Sequence, residues 1–245
     1  MTDRKDFNPL VFFNALHKEY EASLAAHRNQ FDMVEKVLDI AFDHCEETTN
    51  ELSEGQPELA CHKGCATCCT LRVLASAPEI FLIAQFIKER PELSNVLPDR
   101  IAAANLVTIG LDEPQRVKLR RQCPFILSAG ACSIYPVRPL ACRGHASFSV
   151  KDCVDAAAGR AVEIAYSEPH QLVRSLVQNA LQSALRETGY PWAVYELNQG
   201  LNLALSDDTA LMGWLDGKDT LASAQVDDVS AEEMAETFDQ LKQTR

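Results

Sequence analysis

The chain has 245 residues, 47% of them hydrophobic and 24% charged, and a net charge of −12 at pH 7. That length can bury a substantial core, the composition is that of an ordinary globular protein, and the charge argues against general nucleic-acid binding. No run approaches the roughly 20 apolar residues of a membrane span. The charged start, with Asp3, Arg4, Lys5 and Asp6, does not read as a signal peptide, so a cytoplasmic location is expected.

Aromatic residues are only 7% and there are ten glycines, which fits a mainly α fold better than a sandwich or barrel with many tight turns. Apolar positions Leu10, Phe13, Leu16, Tyr20 and Leu24 recur every three or four residues, and Phe31, Val34, Val37, Leu38, Ala41 and Phe42 continue the stripe. This predicts helix over residues 7–53 with a break near Arg28–Gln30. Gly55 and Pro57 mark a loop. Ser76-Ala-Pro-Glu79 has a capping-box pattern that starts a helix running to about Arg90. Further helices are expected at Ile101–Thr108 and Glu113–Arg121.

Cys123 to Tyr135 differs in character. Two short apolar runs flank Ser128-Ala129-Gly130 and predict a small β-hairpin inside the cysteine-rich region. From Glu168 a long stripe of Leu172, Leu176, Val177, Ala180, Leu181, Ala184 and Leu185 predicts a helix that stops at Gly189 and Pro191. Residues 192–204 and 207–215 read as two more helices and 218–228 as a polar linker. Ala231–Lys242 reads as an acidic amphipathic helix carrying Met234, Phe238 and Leu241, suited to packing on the chain or to a partner groove. The expected organisation is N-terminal helices at 1–60, a metal-binding region at 61–160, helices at 161–217 packing on it, and an acidic linker and terminal helix at 218–245.

Nine cysteines in a reducing compartment point to metal or redox chemistry rather than disulfides. Seven of them fall into three groups: Cys61, Cys65, Cys68 and Cys69; Cys123 and Cys132 at the hairpin ends; and Cys142. Thiolates are soft ligands for zinc, copper(I) and iron–sulfur clusters, and short C-x₂₋₄-C steps let one turn present two sulfurs to one centre. These seven are the expected metal ligands. Cys45 and Cys153 stand apart and read first as buried small hydrophobes. The step Cys61-x₃-Cys65-x₂-Cys68 also matches the radical S-adenosylmethionine signature. The alternating strands and helices of that chemistry are absent, and Thr67 stands where its motif usually has an aromatic.

Three stretches carry a resemblance. They are Cys61-His-Lys-Gly-Cys65-Ala-Thr-Cys68-Cys69, then Cys123-Pro-Phe-Ile126, and Gly130-Ala-Cys132-Ser-Ile-Tyr135 followed by Arg138-Pro-Leu-Ala-Cys142-Arg143. Together they resemble the YkgJ-type cysteine-cluster family, described as a zinc- or iron-chelating domain. The resemblance covers about residues 61–145 and implies chelation by these cysteines. It implies little about a reaction.

Electrostatics agrees with chelation. Residues 61–160 hold thirteen bases and eight acids, whereas residues 1–60 hold five and thirteen and residues 206–245 hold three and ten. A metal bearing several thiolates carries net negative charge that needs compensating donors and cations. Arg138 and Arg143, inside the motif, are expected to contact the bound cofactor. Arg116, Lys118, Arg120 and Arg121 either do likewise or form a solvated helix face. His62, His145 or Cys153 would bring the ligands to eight, enough for two four-coordinate centres. Tyr135 lines the site or packs in the hairpin.

Three functions compete. The cysteines hold iron as an iron–sulfur cluster or polynuclear centre with redox activity toward a protein partner; or they hold structural zinc; or the chain carries metal to, or modifies, a partner. The adjacent Cys68 and Cys69 diverge and so suit a polynuclear centre, and the paired C-x₂-C…C-x₂-C spacing usual for zinc is absent. No phosphate loop, GxGxxG, nucleophile elbow or HExxH is present. An iron–sulfur oxidoreductase or metal-dependent modifying enzyme would need an open coordination position.

Overall fold

The computed structural model of the chain describes residues 7–127 and 130–243. The charged start at Asp3–Asp6 and two residues of the expected hairpin turn, Ser128 and Ala129, lie outside the described residues. In chain order the elements are α1 (Pro9–Ala26), α2 (Met33–Leu52), β1 (Leu74–Ala75), α3 (Ala77–Lys88), α4 (Pro91–Ser94), α5 (Leu97–Thr108) and α6 (Glu113–Leu119). A 3-10 turn at Tyr135–Val137 leads to α7 (Leu140–Gly144), α8 (Val150–Ala157) and α9 (Glu168–Thr188). Then come β2 (Tyr195–Glu196), α10 (Leu197–Ser206), α11 (Ala210–Leu215), a 3-10 turn at Ala222–Ala224 and α12 (Ala231–Lys242). The fold is mainly α, as the apolar periodicity predicts. Among the described residues no helix is long and apolar enough to cross a membrane.

Local chemistry explains the boundaries. The Asn8 side chain accepts from Leu10 N and Val11 N, and Pro9 needs no partner at the first helical position. The expected break in the N-terminal helix falls at residues 27–32, where Asn29 is left-handed (φ 60°). The α9 stripe ends where Gly189 turns left-handed (φ 85°), and Tyr190 N bonds back to Leu185 O at 2.9 Å. The α6 helix stops at Leu119 because Arg120 takes a left-handed conformation (φ 50°).

One core joins these helices. Its axis is α9, against which α1, α2, α7 and α12 pack, while α10 packs on α3 and α5. Phe13, Leu16, Tyr20 and Leu24 of α1 are fully buried, as are Val173, Val177, Ala180, Leu181 and Ala184 of α9. The two short strands pair antiparallel, Leu74 with Glu196 and Ala75 with Tyr195, tying the exit of the first cysteine run to the start of α10. The hairpin expected at Cys123–Tyr135 is present in reduced form, as a single antiparallel bridge between Ile126 and Cys132.

The terminal helix docks on its own chain. Phe238 is fully buried, with its ring edge-on to Trp192 at 5.7 Å, and Arg186 Nη2 donates to Asp239 at 2.5 Å. Residues 218–228, read as a polar linker, place Leu221, Ala224 and Val226 inside.

The short helix α7 carries Cys142 and lies directly on α9. A Cβ at Gly144 would stand 2.6 Å from both Cβ and Cγ of Arg174. Gly144→Ala is therefore expected to push α7 off α9 at a cost of about 1–3 kcal/mol, read as a lower midpoint in chemical unfolding. An unchanged midpoint would show that the two helices are not in this close contact.

Candidate metal centre

The cysteine run begins beyond the end of α2. From Ser53 to Leu74 no residue is fully buried, and the backbone is held by short turns: Cys65 N to His62 O, Cys69 N to Ala66 O, and Leu71 N to Cys68 O. Two longer ties bring the other groups to it. Cys123 N donates to Cys69 O at 2.7 Å, and Ala60 N donates to Ser147 O at 3.0 Å. Ser147 in turn bridges to Tyr166 at the entrance of α9.

Several thiols receive backbone N–H donors. Ser147 N donates to Cys61 Sγ at 3.4 Å. The backbone N–H groups of Phe125 and Ile134, each two residues further on, likewise favour the charged form of the Cys123 and Cys132 sulfurs. Such donors stabilise a sulfur carrying negative charge.

Electrostatics separates two groups. Burial pushes the Cys142 thiol well up, and the charges of Cys123, Cys132 and Cys68 push it further. Burial holds the Cys123 thiol up at about 12, with Cys132 adding to it. The Cys61 thiol is raised by burial and then by Cys65, Cys68 and Cys153. Cys68 thus belongs to both neighbourhoods. Its own thiol is raised far above the usual range, first by a side-chain hydrogen bond to Cys69 and then by burial. Thiols raised in this way, as those of Cys68, Cys123 and Cys142 are, stay protonated until a cation joins them.

The two arginines divide. Arg138 lies where its charge favours the thiolates of Cys68, Cys132 and Cys142. Its guanidinium stacks on Tyr135 at 4.1 Å, and its Nε is buried with no hydrogen-bond partner. Arg143 instead donates from Nε to Arg138 O at 3.1 Å and from Nη2 to Pro136 O at 2.6 Å, and stacks on Phe42 at 3.8 Å. Its donors hold the turn that presents Arg138 and Cys142. In the basic run, Arg116 is buried and faces Glu196 at 3.7 Å beside Cys123, while Lys118, Arg120 and Arg121 are exposed.

Of the other candidates, His62 is exposed with Nδ1 on Ala60 O. His145 sits edge-on to Tyr166 at 5.0 Å, and burial followed by the charge of Arg174 keeps its imidazole neutral. Cys153, on α8, stands near Cys61, and its charge is also felt at Tyr166. Cys45 is buried in the α2 face of the core, and burial pushes its thiol up. Sequence reasoning missed Glu79, which is fully buried. Its Oε2 accepts from Ser76 N and Ser76 Oγ, and its Oε1 accepts from Leu140 N, each at 2.7 Å. The capping box found half of that role; the reach to the start of α7 has no signature.

Residues 60–161 match the model of a family named CxxCxxCC and described as "putative zinc- or iron-chelating domain". This stretch is similar to the CxxCxxCC domain. Its first gap, between Cys61 and Cys65, is one residue longer than that name spells. The match includes Cys153 and α8 and leaves α1, α2 and α9–α12 outside. Neither a curated protein nor a solved structure matches the chain. The donor set fits the metals named in that description: soft thiols, an N–H donated to the Cys61 sulfur, and the half-buried Arg138 with its Nε unpartnered.

Proposed function

We propose that this stretch chelates iron, as an iron–sulfur or polynuclear centre with redox activity, through Cys61, Cys65, Cys68, Cys69, Cys123, Cys132, Cys142 and Cys153. The observation that carries this reading is that Cys68 feels both thiol groups while bonded to its neighbour Cys69. Adjacent side chains diverge, so the pair joins two metal positions more readily than it closes one. The exposed Cys61 edge gives a redox partner access. Arg138 supplies the compensating cation.

A second reading, structural zinc, draws on a separate observation: the stretch between Ser53 and Leu74 buries no residue fully, so a metal would take the place of a local core. Anaerobic purification with elemental analysis and a visible spectrum separates the two. The iron reading expects a brown protein with stoichiometric iron and broad visible absorption. A colourless protein with zinc alone overturns it in favour of the second.

A further inference from the structure

A different set of ligands lies across the α1–α9 contact. His17 and Glu21 are one helical turn apart on α1, so their side chains share a face. Glu187, in the last turn of α9, comes up against them. His17 Nδ1 is 3.5 Å from Glu21 Oε2, and His17 Nε2 is 3.6 Å from Glu187 Oε2. The three groups offer ligand atoms that all lie within 4.8 Å of one another.

The imidazole is 5% exposed, it stacks on Phe13 at 6.1 Å, and Nε2 has no hydrogen-bond partner. Burial is the largest influence on this ring and disfavours its charged form, so it stays neutral against the pull of the two carboxylates. A neutral ring can donate from only one nitrogen. The other then points a lone pair at a carboxylate, an arrangement that calls for a cation between them. Lys242 of α12 contacts Glu187 Oε1 and leaves Oε2 turned toward His17. Arg186 bonds Asp239 and Ala235 O, and its Nη2 stands 3.7 Å from the same Oε1 of Glu187 that Lys242 contacts, so both cations lie on the side away from Oε2.

We infer that His17, Glu21 and Glu187 form a second metal site, independent of the cysteines, for a divalent cation of the manganese(II) or iron(II) class. One imidazole nitrogen and carboxylate oxygens, with no thiolate, select a harder metal than the cysteine cluster does. Glu21 and Glu187 are both more than one-third exposed, so water can complete the coordination shell.

The test uses the full chain with its cysteine centre as purified, and manganese(II) as the probe. Free manganese(II) is followed by its solution electron paramagnetic resonance signal, which disappears on binding. The expected result is one tightly bound equivalent, weakened by about tenfold or more in both His17→Gln and Glu187→Gln, since even indirect partners of a metal ligand matter to that extent. Because Glu187 is largely at the surface, Glu187→Gln should fold even if the buried His17→Gln does not. Manganese should also raise the Tm of the wild-type chain and leave that of Glu187→Gln unchanged. No bound equivalent, or equal binding by wild type and Glu187→Gln, overturns the site.

Discussion

Replacing Cys142 by alanine is expected to strip metal from the chain, weakening its retention by more than about 100-fold. Loss of a group that merely orients a ligand already costs 10–100-fold, and Cys142 is proposed as a ligand itself. Its position explains why it should be among the least dispensable. The helix α7 fixes it between the 3-10 turn held by Arg143 and the surface of α9. Its thiol feels Cys123, Cys132 and Cys68, members of both other cysteine groups. Removing it therefore opens the centre where the separate chain segments meet. Because Ser53–Leu74 buries no residue fully, the loss should also appear as a lower Tm and faster proteolysis of that stretch. Cys45→Ala is the control. It removes a thiol from the α2 core and should lower stability while keeping full metal content. Elemental analysis and a thermal melt of both variants decide the matter. A Cys142→Ala protein with full metal and an unchanged Tm would remove Cys142 from the ligand set.

What could be read from the sequence was what short-range chemistry specifies. The α1 and α2 stripes, the break around Asn29, the Ser76–Glu79 box and the stop at Gly189 all depend on residues within about one or two helical turns, and all stand near where the pattern puts them. The β1–β2 pair escaped notice because two-residue strands show no alternation, and α3 to α9 lie between them in the chain. The 218–228 segment looked like a linker because its apolar residues are few, mostly small and scattered among charged and polar ones, yet Leu221, Ala224 and Val226 each find the core. Whether α12 docked depended on Phe238 meeting Trp192, a contact between two elements that pattern alone cannot bring together.

The same division runs through the candidate site. The cysteine groups were visible as spacing, and the turns between them follow from it. Cys153 carried no such signal, being eleven residues beyond Cys142, and only the return of the chain through Ser147 and α8 sets it beside Cys61. Arg138 and Arg143 look equivalent in sequence, since both flank the same cysteine. Their difference is one of direction: Arg143 reaches back to the carbonyls of Pro136 and Arg138, leaving Arg138 as the cation near the thiols.

Glu79→Ala is expected to destabilise the fold by about 3–5 kcal/mol, the cost of breaking a buried, hydrogen-bonded charged network by removing one partner. The carboxylate is 1% exposed and holds three donors, two from Ser76 at the start of α3 and one from Leu140 at the start of α7. Alanine leaves all three without an acceptor in a dry interior, and leaves the half-buried Arg143 and Arg174 without the carboxylate whose charge each of them feels. Glu79→Gln keeps the shape and one acceptor oxygen, so its cost should be smaller. The consequence should reach the metal, because the Leu140 N–H that Glu79 anchors begins the helix bearing Cys142. Equilibrium unfolding gives the first effect, and the rate at which a chelator withdraws metal gives the second. The expected order of that rate is Glu79→Ala fastest, Glu79→Gln intermediate and wild type slowest. If Glu79→Ala loses stability but releases metal at the wild-type rate, Glu79 supports the core alone and α7 holds its cysteine without it.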